Sequence, residues 1–159
     1  MNCSNKWDAR YQACDTPWDL GAAAPALTAA LSARQLPKGR WLVPGCGRGY
    51  DAIALAGEGN QVMALDVAPS AARACQENVR RGQWQIPVLV ADALRFTPAQ
   101  GQVFDGVWEH TFLCALDPVE RQRWACAVAS WLRPGGVLAG LFYAHGREGG
   151  PPFHTDPDA

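Results

Sequence analysis

The chain has 159 residues, 48% of them hydrophobic and 18% charged, enough for one domain with a sizeable core. Fourteen Lys+Arg against fifteen Asp+Glu give a net charge of −1 with no charge block, which argues against a nucleic-acid or membrane-surface partner. No apolar run is long enough to span a membrane, and MNCSNKWDAR lacks the apolar stretch of a secretion signal. Six cysteines without a CxxC pair then read as free thiols of a cytoplasmic protein.

In chain order, Trp7, Tyr11 and Trp18 come first and lie outside any periodic apolar pattern. A helix is expected over 24–35, with Leu27, Ala30 and Leu31 on one side. From there short apolar runs alternate with helical stretches. RWLVP (40–44), QVMALD (61–66), IPVLVAD (86–92), FDGVWE (104–109) and VLAGLFY (137–143) read as buried strands. Helices are predicted over 50–58, 69–81 and 118–132. The last opens on Asp117 and Pro118, with Glu120 placed for a capping box, and Pro134-Gly135-Gly136 stops it. Trp124, Val128, Trp131 and Leu132 share one face of it, and with Trp41 and Trp84 these tryptophans are assigned to packing. Such alternation predicts an α/β, doubly wound, Rossmann-like sheet, mostly parallel, with ligands at the carboxyl ends of its strands.

The first strand runs into Pro44-Gly45-Cys46-Gly47-Arg48-Gly49-Tyr50-Asp51. Glycines at such a turn permit positive φ and let a ligand approach the backbone, although a tight turn alone also explains them. Asp66 ends the second strand, 21 residues after Gly45, where a carboxylate can accept from both ribose hydroxyls. Asp92, followed by Ala93, ends the third and suits an adenine amine; the lesser alternative for both acids is a helix cap or a solvated strand end. A nicotinamide dinucleotide wants glycine at the sixth position of the loop, where Tyr50 stands. The set favours S-adenosyl-L-methionine, with an NAD-dependent oxidoreductase as the weaker alternative.

WDARYQACDTPWDLG, VPGCGRGYDAIALA, TFLCALDP and GGPPF, in that order over 7–153, resemble the thiopurine S-methyltransferase family. The likeness is greatest to its halide and thiocyanate methyltransferase branch and the bacterial relatives of that branch. The resemblance implies a class I methyltransferase that uses S-adenosyl-L-methionine. It implies that Trp7 and Trp18 fold over the cofactor, and that Gly45, Asp66, Asp92 and Ala93 contact it. Aromatic rings over a sulfonium would each add roughly 0.5–2 kcal/mol of cation–π attraction, which would also place Tyr11 there. Gly47 belongs to the same loop. Packing of an N-terminal helix is the plainer account of the three aromatics.

Methyl transfer is an in-line displacement with the nucleophile about 3–3.5 Å from the methyl carbon. A thiol, thiopurine, thiocyanate, halide or chalcogen species is a soft nucleophile, in most cases already an anion, so no catalytic triad is required. His110, in VWEHTFL, stands where the family usually carries Tyr or Arg facing cofactor or substrate. It is the candidate catalytic residue: it can attract an anion or take a thiol proton, or serve only as a hydrogen-bonded structural residue. Glu109 either holds its imidazole or simply ends the strand. Cys46 and Cys114 read as packed thiols, Arg48 as exposed surface, and His145 and His154 as solvated loop beside a substrate lid.

The expected organisation is one domain, 1–159: a cofactor-covering segment (1–36), a Rossmann-like core (37–144) and a shortened lid segment (145–159). Relatives continue into a further helix and strand pair, so about five strands and an exposed edge are expected here, with self-association through that edge. A non-catalytic cofactor-binding remnant is the alternative to an enzyme.

Overall fold

The computed structural model describes residues 3–156, with side chains from Lys6 onward. The ends of the expected covering and lid segments, 1–2 and 157–159, lie outside the described residues. Five strands form one sheet: β1 (Arg40–Pro44), β2 (Gln61–Asp66), β3 (Val88–Val90), β4 (Phe104–His110) and β5 (Leu132–Leu141). Their order is β3-β2-β1-β4-β5, and every neighbouring pair is parallel. The order reverses between β1 and β4, which makes the carboxyl end of that pair the switch point where such sheets bind ligands.

Helices α1 (Cys3–Gln12), α2 (Pro25–Ser32), α3 (Tyr50–Gly57), α4 (Pro69–Arg81) and α5 (Arg121–Trp131) complete the fold. Alternation of side chains along the strands divides the core in two. On one face Trp41, Val43, Val62, Ala64 and Trp108 pack with Leu27 of α2, Ala52 and Leu55 of α3, and Cys75 and Val79 of α4. On the other, Leu42, Leu65 and Val107 meet Trp124, Val128 and Trp131 of α5. Trp41 and Trp131 are fully buried, and each indole N–H finds a carbonyl, Pro37 O and Phe96 O respectively, both at 3.1 Å.

Four elements differ from expectation by more than one residue at an end, the first being the helix expected over 24–35, which spans only Pro25–Ser32. The third strand shrinks to 88–90, where Leu89 and Val90 are exposed at the sheet edge. The last helix begins only at Arg121: Asp117 accepts from the Val119 amide (3.0 Å) to cap a 3-10 turn, while Glu120 pairs with Arg123 instead of closing a capping box. The last strand begins at Leu132, and Pro134-Gly135-Gly136 forms an irregularity inside it; pairing with β4 shifts from Phe104–Leu132 to Gly106–Val137. β5 has no neighbour on its outer side among the described residues, and Leu138, Leu141, Phe142 and Tyr143 there are each more than a third exposed. No helix of the described residues is long and apolar enough to cross a membrane.

Candidate active site

A cleft of about 1090 Å³ opens at the carboxyl ends of the strands. Its lining includes Trp7, Tyr11, Trp18, Gly45, Gly47, Asp66, Asp92, Ala93 and His110, the residues the sequence offers as cofactor-binding or catalytic candidates, whereas Glu109, His145 and His154 do not line it.

The floor is backbone and buried carboxylate. Gly45 and Gly47 have φ of +62° and +53°, the left-handed region that favours glycine. A Cβ on Gly45 would run into the Phe112 ring, and one on Gly47 would sit 2.9 Å from the Tyr11 hydroxyl. The close approach these glycines allow is therefore used by the protein's own aromatic rings. Asp66, 6% exposed, accepts from the Gly47 amide (2.9 Å) through one oxygen and from the Ala68 amide (2.9 Å) through the other. Burial pushes its carboxyl up in pKa against those amides. Asp92 accepts from Leu94 N (3.0 Å) and caps the 3-10 turn Ala93–Arg95; its other oxygen lies 3.6 Å from Arg95 Nε. Asp92 thus acts as a cap and still borders the cleft, with Ala93 buried behind it.

The cover is α1 and the segment after it. Trp7 and Trp18 meet edge to face at 5.3 Å, and Tyr11 joins Trp18 at 5.9 Å, with the Trp18 indole N–H donating to the Tyr11 hydroxyl at 3.3 Å. Arg10 lies over the Trp18 ring at 4.4 Å. Two long-range contacts pin this layer. Asp8 accepts from the Ser70 amide (2.7 Å), capping α4, whose own N-cap Ala68 has no capping side chain. Arg48 pairs with Asp19 at 2.5 Å, so the arginine read as free surface ties the glycine loop to the cover. Tyr11 is raised well above the ordinary tyrosine range by burial and then by Asp66, so it remains a neutral phenol.

His110 closes β4. Its Nδ1 lies 2.8 Å from Asp51 Oδ2, and that oxygen also accepts from the Trp108 indole at 2.8 Å; Oδ1 accepts from the Ala24 amide at 2.7 Å. Burial would raise Asp51, but the bonds from His110, Ala24 and Trp108 outweigh it and hold the carboxyl below its ordinary value. The bond to Asp51 in turn raises His110, against burial. Glu109 does not hold the imidazole, because consecutive strand residues point to opposite faces. Glu109, 1% exposed, accepts instead from the Phe112 and Leu113 amides, both at 2.9 Å, and burial pushes its pKa up. Between them Thr111 has φ of +59°, a costly conformation for a β-branched residue, which turns the chain sharply beside the cleft. Asp51, Thr111 and Phe112 were not singled out from the sequence. Asp51 is 59 residues from His110 and reads there only as an acidic residue in a first helical turn.

The segment after β5 folds back over the opening. Phe153 N donates to Cys114 O (2.6 Å), and His154 Nδ1 accepts from the amides of His145 (3.0 Å) and Gly146 (3.1 Å). The two histidines organise this turn, which is more than a solvated loop. Burial pushes the Cys114 thiol up to about 11, and a hydrogen bond with Cys75 raises Cys46, so both stay protonated and packed. No group of three or more His, Cys, Asp or Glu among the described residues can hold a metal ion.

The family model described as thiopurine S-methyltransferase matches residues 2–158. The probable thiol methyltransferase 2 of Arabidopsis thaliana is 36% identical over 157 residues, 97% of this chain and 69% of that protein. A solved structure from work on the conversion of a disulfide bond into a thioacetal group during echinomycin biosynthesis has a TM-score of 0.80 at 30% identity, covering 90% of this chain and 61% of that one. The Burkholderia thailandensis 1,6-didemethyltoxoflavin-N1-methyltransferase, solved with S-adenosylhomocysteine, shares the fold at a TM-score of 0.70 and 20% identity, over 92% of this chain and 67% of that one. The chain belongs to the thiopurine S-methyltransferase family of S-adenosylmethionine-dependent methyltransferases.

Proposed function

We propose that the cleft binds S-adenosyl-L-methionine and that the protein methylates a small soft nucleophile: a thiol, thiopurine, thiocyanate, halide or chalcogen species. The observation that carries this reading is the convergence of the glycine loop, Asp66 and Asp92 at the ends of three adjacent strands, beneath one layer of aromatic rings.

The residues present fit the cofactor. Ligand pockets run to roughly 300–1,000 Å³, so a cleft of about 1090 Å³ has room for a nucleoside and a small acceptor together. Each Asp66 oxygen accepts one backbone amide and keeps a second acceptor site, the arrangement two ribose hydroxyls need. Asp92 would accept from the adenine amine, over the small Ala93. Gly45 and Gly47 would lie along the amino-acid end. Trp7, Tyr11 and Trp18 would exclude water and present π faces to a cation. When bound, the cofactor supplies an electrophilic methyl carbon on a sulfonium centre. His110 would face the acceptor, where it can attract an anion or take a proton.

Calorimetry with S-adenosylhomocysteine tests binding, and headspace detection of methylated volatiles tests turnover. Binding together with a methylated product is expected. No binding at about 1 mM, a free energy weaker than about −4 kcal/mol, would overturn the reading. Binding without any product from the whole acceptor panel would make the chain a cofactor-binding module.

A further inference from the structure

The Asp51–His110 contact leaves one imidazole nitrogen uncommitted. Nδ1 faces a carboxylate oxygen that is already an acceptor for the Trp108 indole, and an ionised carboxylate only accepts. Nδ1 therefore carries the hydrogen, and in the neutral ring Nε2 carries the lone pair. Nε2 has no hydrogen-bond partner among the described residues, and the imidazole borders the cleft. The orientation is over-determined: Asp51 is fixed from three sides, by α2's preceding amide at Ala24, by Trp108 and by His110. A halide or thiocyanate, already an anion, has no use for such a base. A thiol has, because it reacts as the thiolate.

We propose that Asp51 is a positioning residue that holds His110 in the tautomer whose Nε2 accepts the proton of a neutral thiol, so that this site takes its acceptor as R–SH and ionises it in place. The inference rests on the methyltransferase reading above. The S–H bond breaks with its electron pair left on sulfur, and the proton passes to Nε2. The thiolate then uses that pair to form the S–CH3 bond, while the electrons of the broken methyl–sulfonium bond return to the sulfonium sulfur. The imidazolium afterwards gives its proton to water. The charged group facing His110 is Asp51 from α3; Glu109, its neighbour in the strand, points to the opposite face and acts only through its charge, and both favour the imidazolium. Trp108, on the same face of β4, brings no charge.

The test compares 2-mercaptoethanol, un-ionised at neutral pH, with iodide, a permanent anion, in wild type, Asp51→Asn and His110→Gln. Asparagine with its oxygen on the Ala24 amide puts a donor where one oxygen serves both Trp108 and His110, so the indole bond is lost, Nδ1 becomes the acceptor and the tautomer inverts. For wild type, kcat/KM with the thiol is expected to rise with pH through the His110 pKa, while the iodide profile lacks that rising limb. In both variants the ratio of thiol to iodide turnover falls roughly 100-fold, the scale of general-base catalysis. Independently of turnover, NMR titration of the His110 ring should give a pKa above the ordinary value in wild type and a lower one in Asp51→Asn. S-adenosylhomocysteine calorimetry on each variant shows whether the cofactor site survives. A thiol-to-iodide ratio unchanged in both variants, or a His110 titration indifferent to Asp51, would overturn the proposal. Absence of S-adenosylhomocysteine binding to wild type would instead overturn the parent reading.

Discussion

The floor and the cover of the cleft are built from different interactions. The floor consists of strand ends and a glycine loop whose polar groups are satisfied by backbone, as in Asp66 between the Gly47 and Ala68 amides. The cover consists of half-buried rings and long-range side-chain ties, Asp8 to Ser70 and Arg48 to Asp19. The first kind is inseparable from folding the sheet. The second rests on side-chain ties between distant elements, so its loss is expected to cost the sheet beneath it little. The tryptophans divide along the same line: Trp41 and Trp131 are fully buried in the core, whereas Trp7 and Trp18 pack on each other at the surface of the cleft.

Substitution should separate the two regions. Trp41→Ala is expected to cost about 3–5 kcal/mol of stability whether or not ligand is present, read by urea denaturation. Trp18→Ala should cost little stability and instead weaken S-adenosylhomocysteine binding; an equal loss of stability in both variants would merge the two regions into one. Gly47→Ala sits where they meet. A Cβ at φ +53° strains the loop by about 1–2 kcal/mol and presses on the Tyr11 hydroxyl, so both melting temperature and ligand affinity should fall. Asp8→Ala removes the cap of α4 and should cost about 1 kcal/mol, with faster proteolysis near the N-terminus and an unchanged core.

The smallest expected effect is on pH dependence. Asp51 raises His110, so the pair's stabilisation is complete below roughly pH 6.5 and is lost as pH rises through the raised His110 value. Asp51 is itself held low, so its share is present above roughly pH 3.9 and is lost as pH falls through its lowered value. His110→Gln should flatten the alkaline limb relative to wild type in urea melts across pH. Identical limbs in the two proteins would mean that the contact adds no stability.

Much of the floor was legible in the residues. The β1, β2 and α4 boundaries coincide with the predicted 40–44, 61–66 and 69–81, because period and punctuation are local signals there. Asp66 and Asp92 stand at strand ends because the strands themselves are short and bounded. Nothing in the apolar pattern of α1 marks its bounds: it is polar, and its aromatics face a cleft formed by distant elements. The role of Glu109 was equally illegible, since it depends on which strand face His110 occupies and on the sharp turn at Thr111.

By itself the sequence determined an alternating α/β chain, a glycine loop with two following acids, and a set of aromatic residues left over from the core. These depend on composition, period and spacing along the chain. Only the tertiary structure decided that Asp51 meets His110, that Asp8 caps α4 and that Arg48 fastens the cover. Each of those contacts joins residues 29 to 62 positions apart, brought together by the strand order β3-β2-β1-β4-β5 and its helices, and no local preference encodes such a meeting.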